Sequence, residues 1–363
     1  MRPILVRKTD IKFENRPYLA RGNSRSLGLN AVGITCIRNE GPWLLDWLAH
    51  HMSAGFTHFL IASHDCTDGT DTLLDALHAA GLVTHIRFTP EGDASVQWQA
   101  MKILSRHDRY KSADIALFFD VDEYLVLQGL PMDDLIGDAD AVPLRWHLFG
   151  HSGHSAYTDA PVTTRFTQAA PDGIQLPLAH FFKTLHRPAA FRELGIHRPK
   201  GKEAQWVTAA GKLLPQTFSA QQSRINLFGL PHAGERAWLN HYSVRSIEEF
   251  VLKSARGLPN HMDKPIAAGY WAERNFNTVP DTRIRPMQAA AQAARDSLVV
   301  FDPLHTASVD HHRAELGALK SKRSVIEFMW QLELLAGSTP PTQMQLSAHI
   351  SRLKSLVTED PNG

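Results

Sequence analysis

Residues 31–37 (AVGITCI) form an unbroken apolar run with β-branched members, the pattern of a buried strand. Gly41-Pro42 follows and opens an amphipathic stretch, with proline at a tolerated first-turn position. Its apolar stripe is Trp43, Leu44, Trp47, Leu48, His51 and Met52, and it stops at Gly55. Residues 57–62 (THFLIA) read as a second strand, 63–69 as a turn, and 71–80 as a helix closed by Gly81. Residues 83–88 give a third strand, 90–93 a loop and 94–110 one long amphipathic helix. Residues 115–119 (IALFF) give a fourth strand. This regular alternation predicts a parallel sheet with right-handed crossovers.

Beyond Tyr124 the alternation weakens. Residues 141–146 read as a strand followed by the polar, glycine-rich loop 150–154. The span 160–235 is rich in Pro, Gly and aromatic residues and predicts short strands and loops; 239–244 predicts a last strand. Ser246-Ile247-Glu248-Glu249 is a capping-box pattern that opens a helix to Arg256. From about residue 258 the pattern turns helical, at 287–297, 313–335 and 343–356, with Ser338-Thr339-Pro340-Pro341 as a break. Three segments follow: an N-terminal extension over 1–27, an α/β domain over 28–257 and a helical region over 258–363.

Composition narrows the classes. The chain has 363 residues, enough for one large domain or two, with 43% hydrophobic and 21% charged residues. A formal charge of +1 gives no global attraction to nucleic acid. Twenty histidines is a high count; most are expected on the surface and some facing a metal or phosphates. Cys36 and Cys66 supply neither a disulfide framework nor zinc spacing, which fits a reducing compartment. Residues 1–29 carry no signal-peptide pattern, and no stretch is long and apolar enough to span a membrane. There is no GxGxxG and no GxxxxGK[ST], so neither the usual dinucleotide site nor a P-loop is indicated.

The most informative segment is Phe119-Asp120-Val121-Asp122-Glu123-Tyr124. A core strand ends at two carboxylates one residue apart, and an unpaired buried carboxylate is costly. Open α/β sheets bind ligands at the carboxyl ends of their strands. Hard oxygen donors there suit Mg²⁺ or Mn²⁺ shared with phosphate oxygens. The Asp-Val-Asp segment resembles the Asp-x-Asp signature of GT-A glycosyltransferases. Other pieces join it in order: Thr35-Cys36-Ile37-Arg38-Asn39-Glu40-Gly41-Pro42 with Asp46-Trp47 and His50-His51; Asp65-Cys66-Thr67-Asp68-Gly69-Thr70; the loop from Trp146 to His154; Phe182-Lys183; His197-Arg198-Pro199; Asn240-His241-Tyr242; and Lys253 to Gly257. Together they resemble the bacterial family 2-like glycosyltransferases, the branch related to glycosyltransferase family 92, over roughly residues 31–257.

The resemblance implies a GT-A (Rossmann-like nucleotide-diphospho-sugar transferase) domain with a mainly helical C-terminal extension. It implies a metal-dependent transfer of sugar from a nucleotide-sugar, a UDP-sugar first, to a glycan or glycolipid acceptor, in surface polysaccharide assembly. Asp120, Asp122 and His241 would hold Mn²⁺ or Mg²⁺, with Asp120 also near the ribose-diphosphate. Arg38, Asn39, Glu40 and Asp65 would cradle the nucleotide. Ser63-His64 stands where the family usually has Asp-Asn, so the base contact is open. Arg38 reads equally as a phosphate ligand or as the partner of Glu40 or Asp65. Lys183 could neutralise the diphosphate, as could Lys253 and Arg256, which also read as a solvated basic face. Gly150, Ser152, Gly153 and His154 form the implied substrate loop, with a plain hairpin turn as the alternative. For an inverting transfer the base candidates are Glu193, His197 and His154, with Glu193 preferred. Such an enzyme would be cytoplasmic, with peripheral contact at the inner membrane left open. The rival readings are a catalytically silent nucleotide-binding protein and a metal-dependent hydrolase built on the histidines.

Overall fold

The computed structural model describes residues 28–92, 94–201, 203–257 and 267–359, so the extension over 1–27 lies outside the described residues. The first half runs β1 (Ala31–Ile37), α1 (Gly41–Ser53), β2 (His58–Ser63), α2 (Thr70–Ala79), β3 (Val83–Arg87), α3 (Val96–Leu104), α4 (Asp108–Lys111) and β4 (Ile115–Phe118). Strands β1 to β4 pair in parallel, with Ile34 opposite Leu60 and Gly33 opposite Leu117. The predicted α/β alternation is therefore present. The single helix expected over 94–110 is instead two. His107 turns the backbone out of helix, and its ring accepts the Arg109 N–H at 3.1 Å, so a new helix starts there.

The chain continues with β5 (Glu123–Leu127), α5 (Met132–Ile136), β6 (Ala141–Leu148), α6 (Val162–Arg165), β7 (Gln168–Ala169), β8 (Phe182–His186), α7 (Gln216–Ala220) and β9 (Ala237–His241). Strands β4, β5, β6, β8 and β9 complete an eight-stranded mixed sheet of order β3-β2-β1-β4-β8-β6-β9-β5. Strand β5 was not expected. It lies at the far edge, yet only four residues separate it from β4. Four strand spacings across a flat sheet need about 19 Å, and five residue steps reach about 17 Å. The sheet must therefore curl toward a half-barrel, which folds the Asp120–Asp122 turn into its mouth. Strand β9 ends at His241, short of residue 244. Tyr242 N–H there donates to the Asp122 carbonyl at 2.8 Å, and Arg245 takes a left-handed conformation with φ +52°.

Helix α1 is the pillar of the site. Trp47 is fully buried and rests on Phe59 and Phe119, with ring centroids 5.5 and 4.7 Å away. Burial of each such ring contributes roughly 2–3 kcal/mol. His50 and His51 cover the exposed edge of β5: His50 Nε2–H donates to the Leu125 carbonyl at 2.8 Å, and His51 Nε2 accepts the Leu125 N–H at 3.2 Å. Both rings are neutral because burial pushes their pKa values down, that of His50 to about 4. These histidines, like many others, sit in the interior and not on the expected surface.

The remaining elements are α8 (Ile247–Arg256), α9 (Ala268–Arg274), β10 (Val279–Pro280), α10 (Arg285–Asp296), α11 (Asp302–Lys320), α12 (Arg323–Leu334) and α13 (Gln343–Glu359). The helical spacing over 313–335 breaks at Lys322, whose extended backbone separates α11 from α12. Helices α10 and α11 pack on α1, and β10 pairs with β7. Gly41 opens α1 where α11 crosses it, and a Cβ there would collide with Ser308. Among the described residues, no helix is long and apolar enough to cross a membrane.

The predicted capping box is present: Ser246 Oγ accepts the Glu249 N–H at 3.2 Å, and the Glu249 carboxylate accepts the Ser246 N–H at 3.1 Å. Glu249 does more than cap. It also accepts both Arg165 nitrogens at 2.8 and 2.9 Å and Trp43 Nε1–H at 3.0 Å, joining α8, α6 and α1. Burial alone would raise its pKa; the Arg165 guanidinium outweighs this and lowers it. Glu249→Ala leaves Arg165 buried without its acid partner and should cost about 3–5 kcal/mol in chemical denaturation. Because the folded-state pKa is depressed, this contribution is present above the unfolded-state value of about 4.3 and is lost as pH falls through the folded-state value. The stability gap between wild type and Glu249→Gln should therefore close in acid; a gap independent of pH would contradict the assignment.

Candidate active site

Strand β4 delivers Asp120 to the mouth of the sheet, and the turn after it is braced from below. Trp47 Nε1–H donates to the carbonyls of Asp120 at 3.1 Å and Glu123 at 3.2 Å. Asp120 N–H donates to Glu123 Oε2 at 3.0 Å, so Glu123 shapes the turn rather than facing solvent. Asp120 Oδ2 accepts Lys183 Nζ at 2.9 Å, and Oδ1 accepts Gln97 Nε2 at 3.3 Å. Its side chain remains 35% exposed. Lys183 Nζ also lies 3.8 Å from Glu123 Oε1, a spacing too long for a hydrogen bond, and that oxygen has no partner. Burial, with Asp120 and Asp122 nearby, pushes Glu123 well above the usual carboxylate range despite Lys183. Lys183 therefore pairs with Asp120 rather than with Glu123.

Asp122 faces β9. Its Oδ1 is 3.6 Å from His241 Nε2, and its Oδ2 accepts Lys253 Nζ at 2.8 Å. The 120-residue gap in sequence is closed by register, because Glu123 lies opposite His241 in the β5–β9 ladder. Burial would raise the Asp122 pKa, but Lys253 and then His241 hold it well below the usual range. Burial lowers the His241 pKa, so the ring is neutral. Its Nδ1 has no partner, and its face lies on Trp146 with centroids 4.2 Å apart.

The turn after β1 forms the other wall. Asn39 has φ +53° and grips Thr67 in both directions, accepting its N–H at 2.8 Å and donating to its Oγ1 at 2.9 Å. Glu40 binds Arg256 at 2.6 Å and Arg245 at 3.4 Å, so the expected Arg38–Glu40 pair is replaced. Arg38 donates to the Arg256 carbonyl, and Arg256 donates back to the carbonyls of Arg38 and Asn39 at 2.7 Å. Burial and the Arg256 charge lower the Arg38 pKa. Asp65 is exposed, strained at φ +46° and hydrogen-bonded to His64 at 3.0 Å. The buried acid of that turn is Asp68, which binds His312 of α11 at 3.0 Å.

The loop 150–154 is tied down on one side. Asn275 Oδ1 accepts the His151 N–H at 2.9 Å, and Asn277 Oδ1 accepts the Ser152 N–H at 2.8 Å. Ser152 Oγ accepts two backbone N–H groups at 3.0 Å, and His154 Nε2–H donates to the Arg165 carbonyl at 2.9 Å. Gly150 is closed against Asn277, while Gly153 is exposed. These bonds hold the loop against the residues that follow α9. Glu193 lies at the surface. Its backbone pairs with Lys200, Leu194 takes the inward position, and Glu193 is left exposed. His197 is inward: its Nδ1–H donates to the Phe182 carbonyl at 2.9 Å and its ring meets Trp146. Burial and Lys183 push its pKa down to about 4.

The model of glycosyltransferase family 92 matches residues 32–211, from β1 through Lys183 and His197. The chain is a glycosyltransferase of this family. No curated protein matches it in sequence. Solved structures with a distant likeness include HddC from Yersinia pseudotuberculosis, at 10% identity over 49% of this chain and 88% of that one, TM-score 0.29. They also include S. aureus TarS 1-349 in complex with UDP, at 12% identity over 45% and 48%, TM-score 0.30. A further structure of S. aureus TarS 1-349 gives 11% identity over 81% and 92%, TM-score 0.33. His241, Lys253 and Arg256 of this family 92 enzyme lie beyond the matched residues.

Among the described residues no three His, Cys, Asp or Glu side chains gather as a metal cage, the expected set of Asp120, Asp122 and His241 included. Asp122 and His241 do fit as two ligands of a divalent ion: one anionic oxygen donor, one neutral imidazole, 3.6 Å apart. Diphosphate oxygens would have to complete such a shell. Sequence reasoning missed Gln97, Arg245 and His312, which are positioned by tertiary contact with no local signal, and gave no role of their own to Trp146 and Asp68, which lie inside its motifs. Asp122 is itself structural, since its loss strands Lys253. Asp122→Asn should therefore lose Mn²⁺ binding and also lower the melting temperature measurably, while Asp120→Asn, at a more exposed carboxylate paired with Lys183, should do less to Mn²⁺ affinity. Calorimetric titration of Mn²⁺ and thermal melts of both variants check this; equal Mn²⁺ affinity in wild type and Asp122→Asn would remove Asp122 from the ligand set.

Proposed function

We propose that this glycosyltransferase moves a sugar from a nucleotide-diphosphate donor, a UDP-sugar first, to a hydroxyl of a glycan or glycolipid acceptor. The observation that carries the reading is the mouth of the half-barrel. There Asp122 and neutral His241 stand together, with Lys183, Lys253 and Arg245 near them. A leaving diphosphate needs concentrated positive charge, and the chain supplies three cationic side chains there. When bound by Asp122 and His241, Mn²⁺ or Mg²⁺ would offset further negative charge on that leaving group. Surface polysaccharide assembly is the setting that such chemistry suits.

Within this reading His197 is favoured over Glu193 as the proton acceptor. Its Nδ1–H is fixed on Phe182, which leaves Nε2 as the lone-pair nitrogen, and the ring is neutral. Exposed Glu193 has no such positioning. His197→Gln should reduce kcat by roughly 10²–10⁴-fold with donor affinity preserved. Glu193→Gln should stay near wild type; the reverse pattern would exchange the roles. The donor reading is tested by thermal shift with UDP, GDP, CDP and dTDP, each with and without Mn²⁺, followed by product analysis with the matching nucleotide-sugars. UDP with Mn²⁺ should raise the melting temperature most. A shift with no nucleotide, or one untouched by Asp122→Asn, would defeat the proposal.

A further inference from the structure

The two lysines at the carboxylates are held differently. Lys183 is sealed, 1% exposed, between Asp120, Glu123 and the Phe118 ring. Lys253 stands at the mouth, 16% exposed, on the last turn of α8. Its ammonium donates to Asp122 Oδ2 at 2.8 Å and to the Ser243 carbonyl at 2.8 Å. An ammonium has three donors, so one remains for another acceptor. Tyr270 gives a loose cation–π contact at 5.4 Å. The side chain borders a small cavity lined also by Asn39, Ser243, Arg245, Arg256 and His312. Arg245 and Arg256 are tied to Glu40 there, so Lys253 is the cation whose acid partner is Asp122 itself.

Lys253 therefore occupies an oxygen that a divalent ion would need. An ammonium and a divalent ion on one carboxylate repel strongly where solvent screening is weak. A donor diphosphate brings new anionic oxygens to the same mouth. We infer that Lys253 is an exchangeable counter-ion: it neutralises Asp122 before the donor arrives, then passes to the donor's diphosphate when the divalent ion takes Asp122. This rests on the metal and donor reading above and assigns Lys253 a role in ordering the two binding events. Metal alone binds poorly because it must displace the ammonium. Metal with diphosphate binds well because the displaced ammonium has a new partner.

The test is a set of Mn²⁺ titrations by calorimetry on wild type, Lys253→Met and Asp122→Asn, with and without inorganic pyrophosphate. Lys253→Met should bind Mn²⁺ alone on the order of tenfold tighter than wild type, and should bind pyrophosphate in the presence of Mn²⁺ on the order of tenfold more weakly. These opposite signs are not expected of a merely structural lysine. If Lys253→Met is too unstable to titrate, its melting temperature should rise more with Mn²⁺ than that of wild type, because the ion replaces the lost cation; an equal or smaller rise overturns the inference. Loss of Mn²⁺ binding in Asp122→Asn, with Lys253→Met unchanged from wild type, overturns the counter-ion role alone. Identical Mn²⁺ isotherms for wild type and Asp122→Asn overturn the metal reading and this inference with it.

Discussion

Asp120, Asp122 and Glu123 lie within four residues, and the interior tolerates them only because each is answered differently. Asp120 takes Lys183, Asp122 takes Lys253 and His241, and Glu123, its pKa pushed up by burial, accepts the Asp120 N–H. The local geometry follows from this division. Lys183 comes from β8, His241 from β9 and Lys253 from α8, so three elements far apart in sequence are drawn to one turn. Removing any partner leaves a charge in a poorly solvated place.

The sheet's curl serves the same end. A short link from β4 to the far-edge strand β5 forces closure, and closure brings the carboxylates under β9. Trp47 fixes the link from one side through two backbone carbonyls, and His50 and His51 satisfy the edge of β5 from the same helix. Helix α1 therefore transmits the packing of α10 and α11 to the reacting end. Asp68–His312 makes a second connection of this kind, from α11 to the turn beside Asn39. The helical C-terminal region is thus joined to the site through buried polar contacts as well as apolar packing.

Chemically, the mouth is arranged for an anionic leaving group. Arg38 and Arg256 are held close by reciprocal bonds to backbone carbonyls, and Arg256 is also paired with Glu40. Family 92 membership makes that charge intelligible, because glycosyl transfer needs an environment that favours departure of the activating group. His197 packs between the rings of Trp146 and Phe181.

The sequence by itself determined the parallel βα half, because strand and helix periods there are local properties of apolar spacing. It also marked Asp120 and Asp122, since a core strand ending in two acids breaks the rule that burial excludes charge. His241 and Lys183 were legible only through resemblance, as neither carries a local signal. Tertiary structure alone decided the rest. Edge strand β5 has no distinctive pattern until the sheet curls. Glu193 and Leu194 exchange inward and outward places through one backbone bridge to Lys200. The glycines, serine and histidine of loop 150–154 suit a substrate loop in sequence; in space Asn275 and Asn277 accept the N–H groups of His151 and Ser152. The common physical reason is that a polar group's role is set by which partner reaches it, and such a partner can be near in sequence, as Lys200 is to Glu193, or more than a hundred residues away, as Asn275 is to His151.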